Sequence, residues 1–288
     1  MSIEFENILN FRDVGKTVND YLGQKVIQEC VLYRSARPDD ATLDDRRRLT
    51  EELGIRTVLD LRTKTEHLAQ AEKRQASTTP ALLQSNAALA GPLQIPGLLY
   101  RQVHVTGRRL ERALVHQLSW WNFIKLVFLY IFGFRVKAIR IMGREVMQPL
   151  GLIGLSLITL DESGPEIAEA LRTLTSLQTP NPTLVHCTQG KDRTGMVVAL
   201  ALLALRVPAD AITHDYLLSQ PGLEPEREDR VNEMLRIGLT PAWGDCSPEL
   251  VQRVCGHLDV RYGGVNGYLD LIGFGVEDRI RLVEVLGA

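Results

Sequence analysis

The residues best able to do chemistry in this sequence are Cys187 and Arg193, which lie six positions apart within residues 183–195. The apolar residues just before the cysteine indicate the end of a buried strand, and the apolar run at 196–205 indicates a buried helix. The segment between them is therefore predicted to be a strand-to-helix turn. Such a turn directs successive backbone N–H groups and a helix N-terminus at one point, which favours the binding of phosphate.

Cys187 begins this turn, and its position suits a nucleophile. The helix N-terminus, the loop amides and the cations Lys191 and Arg193 favour its thiolate form. Arg193 is predicted to grip two phosphate oxygens with its planar guanidinium, a geometry that lysine lacks. Lys191 is expected to add a second positive charge for heavily phosphorylated substrates, and Thr194 is expected to donate its hydroxyl to the sulfur.

The other positions of the turn complete a predicted phosphate-binding loop. Gly190 allows the backbone to approach a ligand closely, and His186 is expected to hold the loop from behind through a ring N–H. The predicted phosphate-binding residues are Thr188, Gln189, Gly190, Lys191 and Thr194. An inert buried cysteine is the alternative, but it leaves Lys191, Asp192 and Arg193 without a purpose.

Length and composition limit the number of domains and the kinds of partner and cofactor to expect. With 288 residues, of which 45% are hydrophobic and 24% charged, the chain is globular and is predicted to form a single domain over residues 1–288. A formal net charge of −2 gives no reason to expect nucleic acid as a partner. The four cysteines lack the spacing of a zinc site, and a reaction that uses a cysteine thiolate requires no cofactor. A free thiolate also favours a reducing, cytoplasmic setting.

Strand and helix patterns alternate before the turn, which predicts an α/β sheet flanked by helices. The predicted strands are at 31–38, 56–62 and 97–105, and the predicted helices are at 40–53, with Thr42 as N-cap, and at 163–177, with Ser163 as N-cap. Residues 71–97 are predicted to be a mobile connection. The C-terminal third, from Pro208 onward, is expected to be mainly helical.

Four segments together resemble the bacterial and fungal tyrosine phosphatase family of cysteine-dependent phosphatases. They are residues 10–15, 33–38, 54–62 with Glu66, and 186–195. The resemblance implies the cysteine-dependent phosphatase fold, attack of the cysteine on phosphorus and a phosphocysteine intermediate. It also implies that no metal is needed and that the substrate is phosphotyrosine, with phosphoserine, phosphothreonine or phosphoinositides as further substrates in some members.

Arg34, Arg37, Asp60 and Arg62 follow or end the predicted strands and admit two interpretations. They form ion pairs that brace the strand ends, or one of the arginines faces the substrate phosphate.

The sequence leaves open which of two aspartates is the general acid. Asp192 is favoured over Asp161, because the loop fixes its distance to the phosphate and the Lys-Asp-Arg order matches the resembled family, although Asp192 can instead serve only to tie down the loop.

Residues 106–150 change in composition and are predicted to be an apolar helical insertion or lid. Seven aromatic residues lie at 120–134, and basic residues flank the apolar run at 118–134. This run is a core helix, a spanning helix, or a helix that lies on the protein or on a membrane surface, with membrane contact through 118–140. On the protein it is expected to cover the Cys187 pocket or to form an apolar shelf beside it. Spanning is disfavoured, because Lys125 near the middle costs roughly 2.5–3.5 kcal/mol there.

These observations together predict a phosphatase of phosphomonoesters. Its expected substrates are a phosphorylated protein, through phosphotyrosine, and a phosphoinositide or other lipid phosphate. The alternatives are a catalytically silent phosphate-binding module, a phosphatase dedicated to isoprenyl phosphates or diphosphates, and a sulfur-transfer enzyme.

Overall fold

A computed structural model describes residues 4–77, 94–176 and 178–288. The strands of the described residues form one sheet in the order β1-β2-β5-β3-β4. They are β1 (Arg12–Asp13), β2 (Leu32–Ser35), β3 (Thr57–Asp60), β4 (Leu99–Gln102) and β5 (Thr183–His186). Only the short edge strand β1 is antiparallel to its neighbour, and the other pairs are parallel. The predicted α/β fold class is thus the observed one.

Helices make up most of the remaining described chain. Before β5 they are α1 (Val14–Leu22), α2 (Leu43–Arg47), α3 (Lys64–Ser77), α4 (Arg108–His116), α5 (Trp120–Ile131), α6 (Arg135–Met142), α7 (Gln148–Glu162) and α8 (Gly164–Thr175). After β5 they are α9 (Asp192–Ala204), α10 (Ala209–Leu217), α11 (Ser219–Gly222), α12 (Arg227–Arg236), α13 (Leu250–Tyr262), α14 (Val265–Leu271) and α15 (Val276–Leu286). The described residues after β5 are therefore mainly helical.

The central strand β5 is buried at every position, because apolar clusters cover both faces of the sheet. Val185 packs into the larger cluster with most of α9, and Leu184 packs into the smaller cluster with Tyr33. A strand covered on both sides needs apolar residues at consecutive positions, which is the pattern that the sequence shows at Leu184 and Val185.

Three parallel strands end side by side at one edge of the sheet. Ser35 of β2 and Asp60 of β3 both lie opposite His186 of β5. Ligands of parallel α/β sheets bind at the carboxyl ends of the strands. The segments that follow these three strands, each singled out from the sequence, therefore meet at one place.

The predicted strands are present but shorter than expected, and the helix at 40–53 is confirmed in part. Thr42 caps α2 in a reciprocal capping box with Asp45, and a wider helical turn follows at Arg48–Glu52. The prediction of a mobile connection from residue 71 is wrong for residues 71–77. These residues belong to α3, because they are rich in strong helix formers such as Ala, Gln and Lys. Residues 78–93 lie outside the described residues.

The helix predicted from Ser163 begins at Gly164, and Ser163 does not cap it. The Ser163 hydroxyl is buried and has no hydrogen-bond partner among the described residues. Ser163 follows the last residue of α7 directly and keeps φ −111° and ψ 25°. A capping side chain needs an extended backbone instead, so the continuous path from α7 into α8 removes the predicted cap.

The apolar run at 118–134 is not a core helix, because α5 contains no buried residue. Its 12 residues make a helix about 18 Å long, whereas a bilayer core is about 30 Å thick. One helical stretch in the described ranges, Val136–Glu162, is long and apolar enough to cross a membrane by length and composition. Gly151 breaks that stretch with φ 65° and ψ 175°, so it is not one straight helix.

Candidate active site

The predicted strand-to-helix turn is present between β5 and α9. We call residues 187–193 the Cys187 loop. Cys187 follows β5 directly and is only 2% exposed, and Asp192 and Arg193 form the first turn of α9. All but a few positions of α9 are buried against the sheet, which fixes the helix N-terminus relative to the strand end.

The carbonyls of the first four loop residues all accept hydrogen bonds from groups outside the loop. The pairs are His186 Nδ1–H to Cys187 O (3.0 Å), Arg37 N–H to Thr188 O (3.2 Å), Asn10 Nδ2–H to Gln189 O (2.9 Å) and Arg34 Nη2–H to Gly190 O (2.7 Å). A trans peptide points its C=O and its N–H in opposite directions. The N–H groups of residues 188–191 therefore face inward, and none has a backbone or side-chain acceptor within the described ranges.

Gly190 is required at its position by the neighbouring strand. Its backbone is left-handed, with φ 65°, and an added Cβ would lie 1.9 Å from the carbonyl oxygen of Ser35. The sequence predicted a glycine for close approach of a ligand. The structure shows a close approach of β2 instead, which presses the loop into its curved form.

Arg193 is held by Glu66 of α3. Arg193 Nη1 donates to Glu66 Oε2 at 2.7 Å and Nη2 donates to Oε1 at 2.5 Å, while Nη1 also reaches Leu61 O at 3.2 Å. Burial acts to raise the pKa of Glu66, but the hydrogen bonds and charge of Arg193 win and lower it to about 2. Thr188 donates its hydroxyl to the same carboxylate. The arginine is thus oriented in advance and remains 21% exposed.

A buried ion network lies beneath the loop. Arg62 Nη1 donates to Asp39 at 2.6 Å and Nη2 donates to Asp60 at 2.8 Å. Asp60 also lies 3.4 Å from His67 and 3.7 Å from His186. Burial lowers the pKa of His186, which favours the neutral ring that donates through Nδ1. Asp60 and Arg62 therefore brace the strand ends, which was the structural interpretation of these residues.

Arg34 has a similar supporting role. It is 1% exposed and pairs with the buried carboxylate of Asp215, which also accepts from Arg12 Nε at 2.8 Å. Arg37 differs, because its side chain is 19% exposed and pairs with Glu226 at 2.9 Å. Of the three arginines considered from the sequence, Arg37 is the one that stays accessible beside the loop.

Two expectations about the loop are wrong. The ammonium group of Lys191 is fully buried and donates to the backbone carbonyls of Trp243 (3.2 Å) and Asp245 (2.8 Å), so these acceptors keep it from presenting a second charge to substrate. The Thr194 hydroxyl is buried and makes no hydrogen bond to Cys187 or to any other described residue. Its place in the first turn of α9 is set by the helix rather than by the sulfur.

The two candidate acids lie in different surroundings. Asp192 is part of the loop, its side chain is 39% exposed, and Oδ1 lies 3.7 Å from Lys191 Nζ. Asp161 lies at the end of α7 and is held by α13, where His257 Nε2 (2.7 Å) and Tyr262 OH (2.5 Å) bond to its Oδ1. Asp192 belongs to the Cys187 loop by its place in the sequence, whereas the described contacts of Asp161 are with α13.

Sequence reasoning gave no role to Glu66, Asn10 or Asp215. Glu66 carried a usable signal, since Thr63-x-x-Glu66 is the capping-box pattern at the start of a helix, and the Thr63 backbone N–H does bond Glu66 Oε2 at 2.9 Å. Asn10 adopts a left-handed backbone, with φ 56°, that asparagine tolerates well. Nothing local marks Asp215 as the partner of two distant arginines.

The sequence profile of the tyrosine phosphatase family matches residues 3–119 and 152–287. The chain belongs to this family. The match leaves out residues 120–151, which contain α5 and α6.

Two curated relatives share part of the family's sequence with this chain. The triple specificity protein phosphatase PtpB of Mycobacterium tuberculosis is 45% identical over 117 residues, which cover 34% of this chain and 41% of that protein. A tyrosine-protein phosphatase of Nostoc commune is 31% identical over 137 residues, or 44% of this chain and 46% of that protein. The chain thus spans less than half the length of these relatives.

Proposed function

We propose that the protein is a cysteine-dependent phosphatase that hydrolyses phosphomonoesters, phosphotyrosine among them, through a phosphocysteine intermediate. The observation that carries this proposal is the orientation of the Cys187 loop, whose inward N–H groups accompany an arginine fixed by Glu66. Backbone N–H groups and a guanidinium fork suit the equatorial oxygens of a phosphoryl group in transfer. Membership of the tyrosine phosphatase family supports the same reaction.

The reaction runs in two displacements. The thiolate of Cys187 attacks phosphorus, the bond from phosphorus to the leaving oxygen breaks, and a carboxylic acid gives that oxygen its proton. Water then attacks the phosphocysteine and returns a proton to the carboxylate, while the S–P bond breaks to release phosphate and the thiolate. The loop N–H groups and Arg193 stabilise the charge of the transferring group in both steps.

We assign the acid to Asp192. It is the candidate that lies within the loop, and its partly exposed side chain leaves a path for protons to and from water. Asp161 is instead occupied by His257 and Tyr262.

The test of the proposal is hydrolysis of p-nitrophenyl phosphate. We expect turnover by the wild-type protein, no turnover by Cys187→Ser with retained binding of tungstate, and nearly complete loss in Arg193→Lys. A wild-type protein that binds tungstate but releases no p-nitrophenol would show a silent phosphate-binding module. Retention of a tenth of kcat/KM in Arg193→Lys would contradict the role of Arg193.

A second part of the proposal concerns the substrate. We call residues 119–142, which comprise α5, its following turn and α6, the aromatic hairpin. Most of its aromatic side chains and several of its aliphatic ones are exposed, with Trp121 79% exposed and Ile131 72% exposed. A cluster of exposed large apolar side chains normally marks a partner, ligand or membrane site.

The charges of the hairpin favour a membrane. Between Glu111 and Glu145 the sequence contains no acidic residue, and its cations from 120 onward are Lys125, Arg135, Lys137, Arg140 and Arg144. Aromatic residues with Lys and Arg are typical of helices that lie in the headgroup region of an anionic bilayer. We therefore propose that the enzyme sits on the cytoplasmic face of such a membrane and acts on lipid phosphates, either phosphoinositides or isoprenyl phosphates.

Liposomes test this part separately. We expect binding to anionic liposomes that weakens as salt rises, and a higher kcat/KM on a phosphoinositide or isoprenyl phosphate than on a phosphotyrosine peptide. Replacing Trp120, Phe123 and Phe128 with Ser should reduce lipid hydrolysis and leave p-nitrophenyl phosphate hydrolysis intact. Equal losses on both substrates with a lowered melting temperature would show that the hairpin only supports the fold.

A further inference from the structure

Arg230 is a buried arginine without a hydrogen-bond partner among the residues that the structure describes. It lies on α12, is 4% exposed, and none of its three side-chain nitrogens makes a hydrogen bond to a described residue. Arginine remains charged in proteins, and a buried charge is normally paired. An unpaired guanidinium in this place indicates that an acceptor reaches it in another arrangement of the site.

The nearby carboxylates are already engaged by other cations. Glu226 Oε1 accepts from Arg37 Nη2 at 2.9 Å, and Asp245 Oδ1 lies 3.6 Å from Arg227. Burial lowers the pKa of Arg230, and the charges of Glu226 and then Asp245 oppose that effect, which places both carboxylates within electrostatic reach. The two carboxylates near Arg230 therefore already pair with other arginines.

Glu226 is positioned to serve two arginines. It precedes α12 directly and lies four residues before Arg230, so the two side chains share one face of the helix with Cβ atoms about 5–6 Å apart. Its present pair with Arg37 is partly open to solvent, at 32% and 19% exposure, whereas Arg230 is sealed. The carboxylate that pairs with Arg37 therefore belongs to a side chain that neighbours Arg230 on the helix surface.

This pair borders a cleft beside the Cys187 loop. The cleft has a volume of about 330 Å³ and is lined by Arg37, Glu226, Pro225 and Leu9, among others. The backbone N–H of Arg37 donates to Thr188 O, so the cleft wall and the loop are in direct contact. Asp40 lies 3.9 Å from Nε of Arg37, at the edge of the guanidinium away from its pair with Glu226.

We propose that Arg37 binds a second anionic group of the substrate, namely a second phosphate monoester. The carboxylate of Glu226 then exchanges its ion pair with Arg37 for one with Arg230. The inference rests on the proposed phosphatase function. The incoming phosphate replaces the carboxylate on Arg37, and the released carboxylate pairs with the buried guanidinium. No covalent bond changes, and each charge has a partner before and after binding except Arg230, which gains one.

The experiment compares substrates that differ by one phosphate. We measure the ratio of kcat/KM for an inositol bisphosphate over an inositol monophosphate, and for a doubly over a singly phosphorylated tyrosine peptide. Arg37→Gln and Arg230→Leu should each lower the ratio about tenfold or more, as expected for loss of a charged hydrogen bond. Glu226→Gln should raise the ratio and make an added Arg230→Leu silent. Arg236→Gln, on the exposed side of the same helix, is the matched control.

The outcomes separate the possibilities. An effect confined to the inositol pair or to the peptide pair supports the site and names the source of its phosphate. A raised melting temperature with an unchanged ratio in Arg230→Leu would overturn the proposal, since the buried charge would then be only a structural defect. Should that variant not fold, an unchanged ratio in Glu226→Gln overturns it equally. If the wild-type protein hydrolyses nothing, the phosphatase function fails, and calorimetric binding of inositol bisphosphate over monophosphate still tests the site.

Discussion

Glu66 holds both terminal nitrogens of Arg193, at 2.7 Å and 2.5 Å, so the guanidinium of the Cys187 loop is oriented before any substrate arrives. A flexible arginine would lose rotamer freedom on binding phosphate, and this loss would weaken catalysis. Because the ion pair with Glu66 already fixes the arginine side chain in the folded protein, this rotamer freedom is not lost again when phosphate binds. It also links α3 to the loop, because Glu66 lies in the first turn of that helix.

Replacing Glu66 with Gln should therefore lower kcat/KM on p-nitrophenyl phosphate about ten- to hundredfold, since hydrogen bonds to a charged group are worth about 1.5–3 kcal/mol. Steady-state kinetics with Glu284→Gln as the control, an exposed glutamate on α15, checks this expectation. Equal activity of Glu66→Gln and wild type would show that Arg193 orients itself.

The assignment of the acid predicts a dependence on the leaving group. Asp192→Asn should lower kcat strongly for aryl phosphates whose leaving groups have a high pKa and weakly for those with a low pKa, because a good leaving group needs no proton. Asp161→Asn should show no such trend. A flat response in Asp192→Asn, with a sloped one in Asp161→Asn, would move the role to Asp161.

Gly190→Ala should nearly abolish activity and lower stability. The left-handed backbone costs a non-glycine residue about 1–2 kcal/mol, and the new Cβ would collide with Ser35 O at 1.9 Å. Gly256→Ala is the matched control, because Gly256 lies inside α13 with open space around it. Melting temperatures and kcat of both variants test this, and an active Gly190→Ala protein would show that the loop tolerates displacement from β2.

Acid should weaken the fold in two stages. Burial lowers the pKa of His67 and of His186 below 6.5, so the unfolded chain binds more protons and the free energy of unfolding falls as pH drops below about 6.5. Glu66, whose folded pKa is about 2, adds a further loss between about pH 4.5 and 2. Each group contributes at most about 1.4 kcal/mol per pH unit.

Urea unfolding at a series of pH values measures this dependence. His67→Gln should reduce the slope between pH 6.5 and 5 and leave the lower stage unchanged. An unfolding free energy that stays constant from pH 7 to 5 would mean that neither histidine is held neutral.

The buried carboxylate of Asp215 should matter far more for stability than an exposed one. Asp215→Asn leaves Arg12 and Arg34 without their counter-charge, which should cost about 3–5 kcal/mol of unfolding free energy. Asp20→Asn removes an exposed pair with Lys16 and should leave the urea midpoint almost unchanged. Similar urea midpoints for the two variants would contradict the supporting role of Asp215.

The loop and its flanking strand and helix follow from local signals in residues 183–205, so they were predictable. The groups that hold the loop were not, because Asn10 and Gln189 are 179 residues apart and meet only through the fold. Lys191 illustrates the same limit. Its position beside Arg193 in the Cys187 loop suggested substrate contact, and only the packing of residues 243–245 shows which acceptors bind its ammonium group. The composition of α5 likewise left open whether that helix is buried.

The hydrogen bonds from the carbonyls of the Cys187 loop to groups outside it also determine when, during folding, the loop N–H groups come to surround the thiol. Three of the donors, Asn10, Arg34 and Arg37, are synthesised long before the loop, but Asp215, which secures Arg34, is made after it. A nascent or partly unfolded chain therefore carries an ordinary cysteine without a surrounding cradle of amides. Recovery of hydrolysis during refolding should consequently report completion of the native tertiary structure, later than signals that follow helix formation alone.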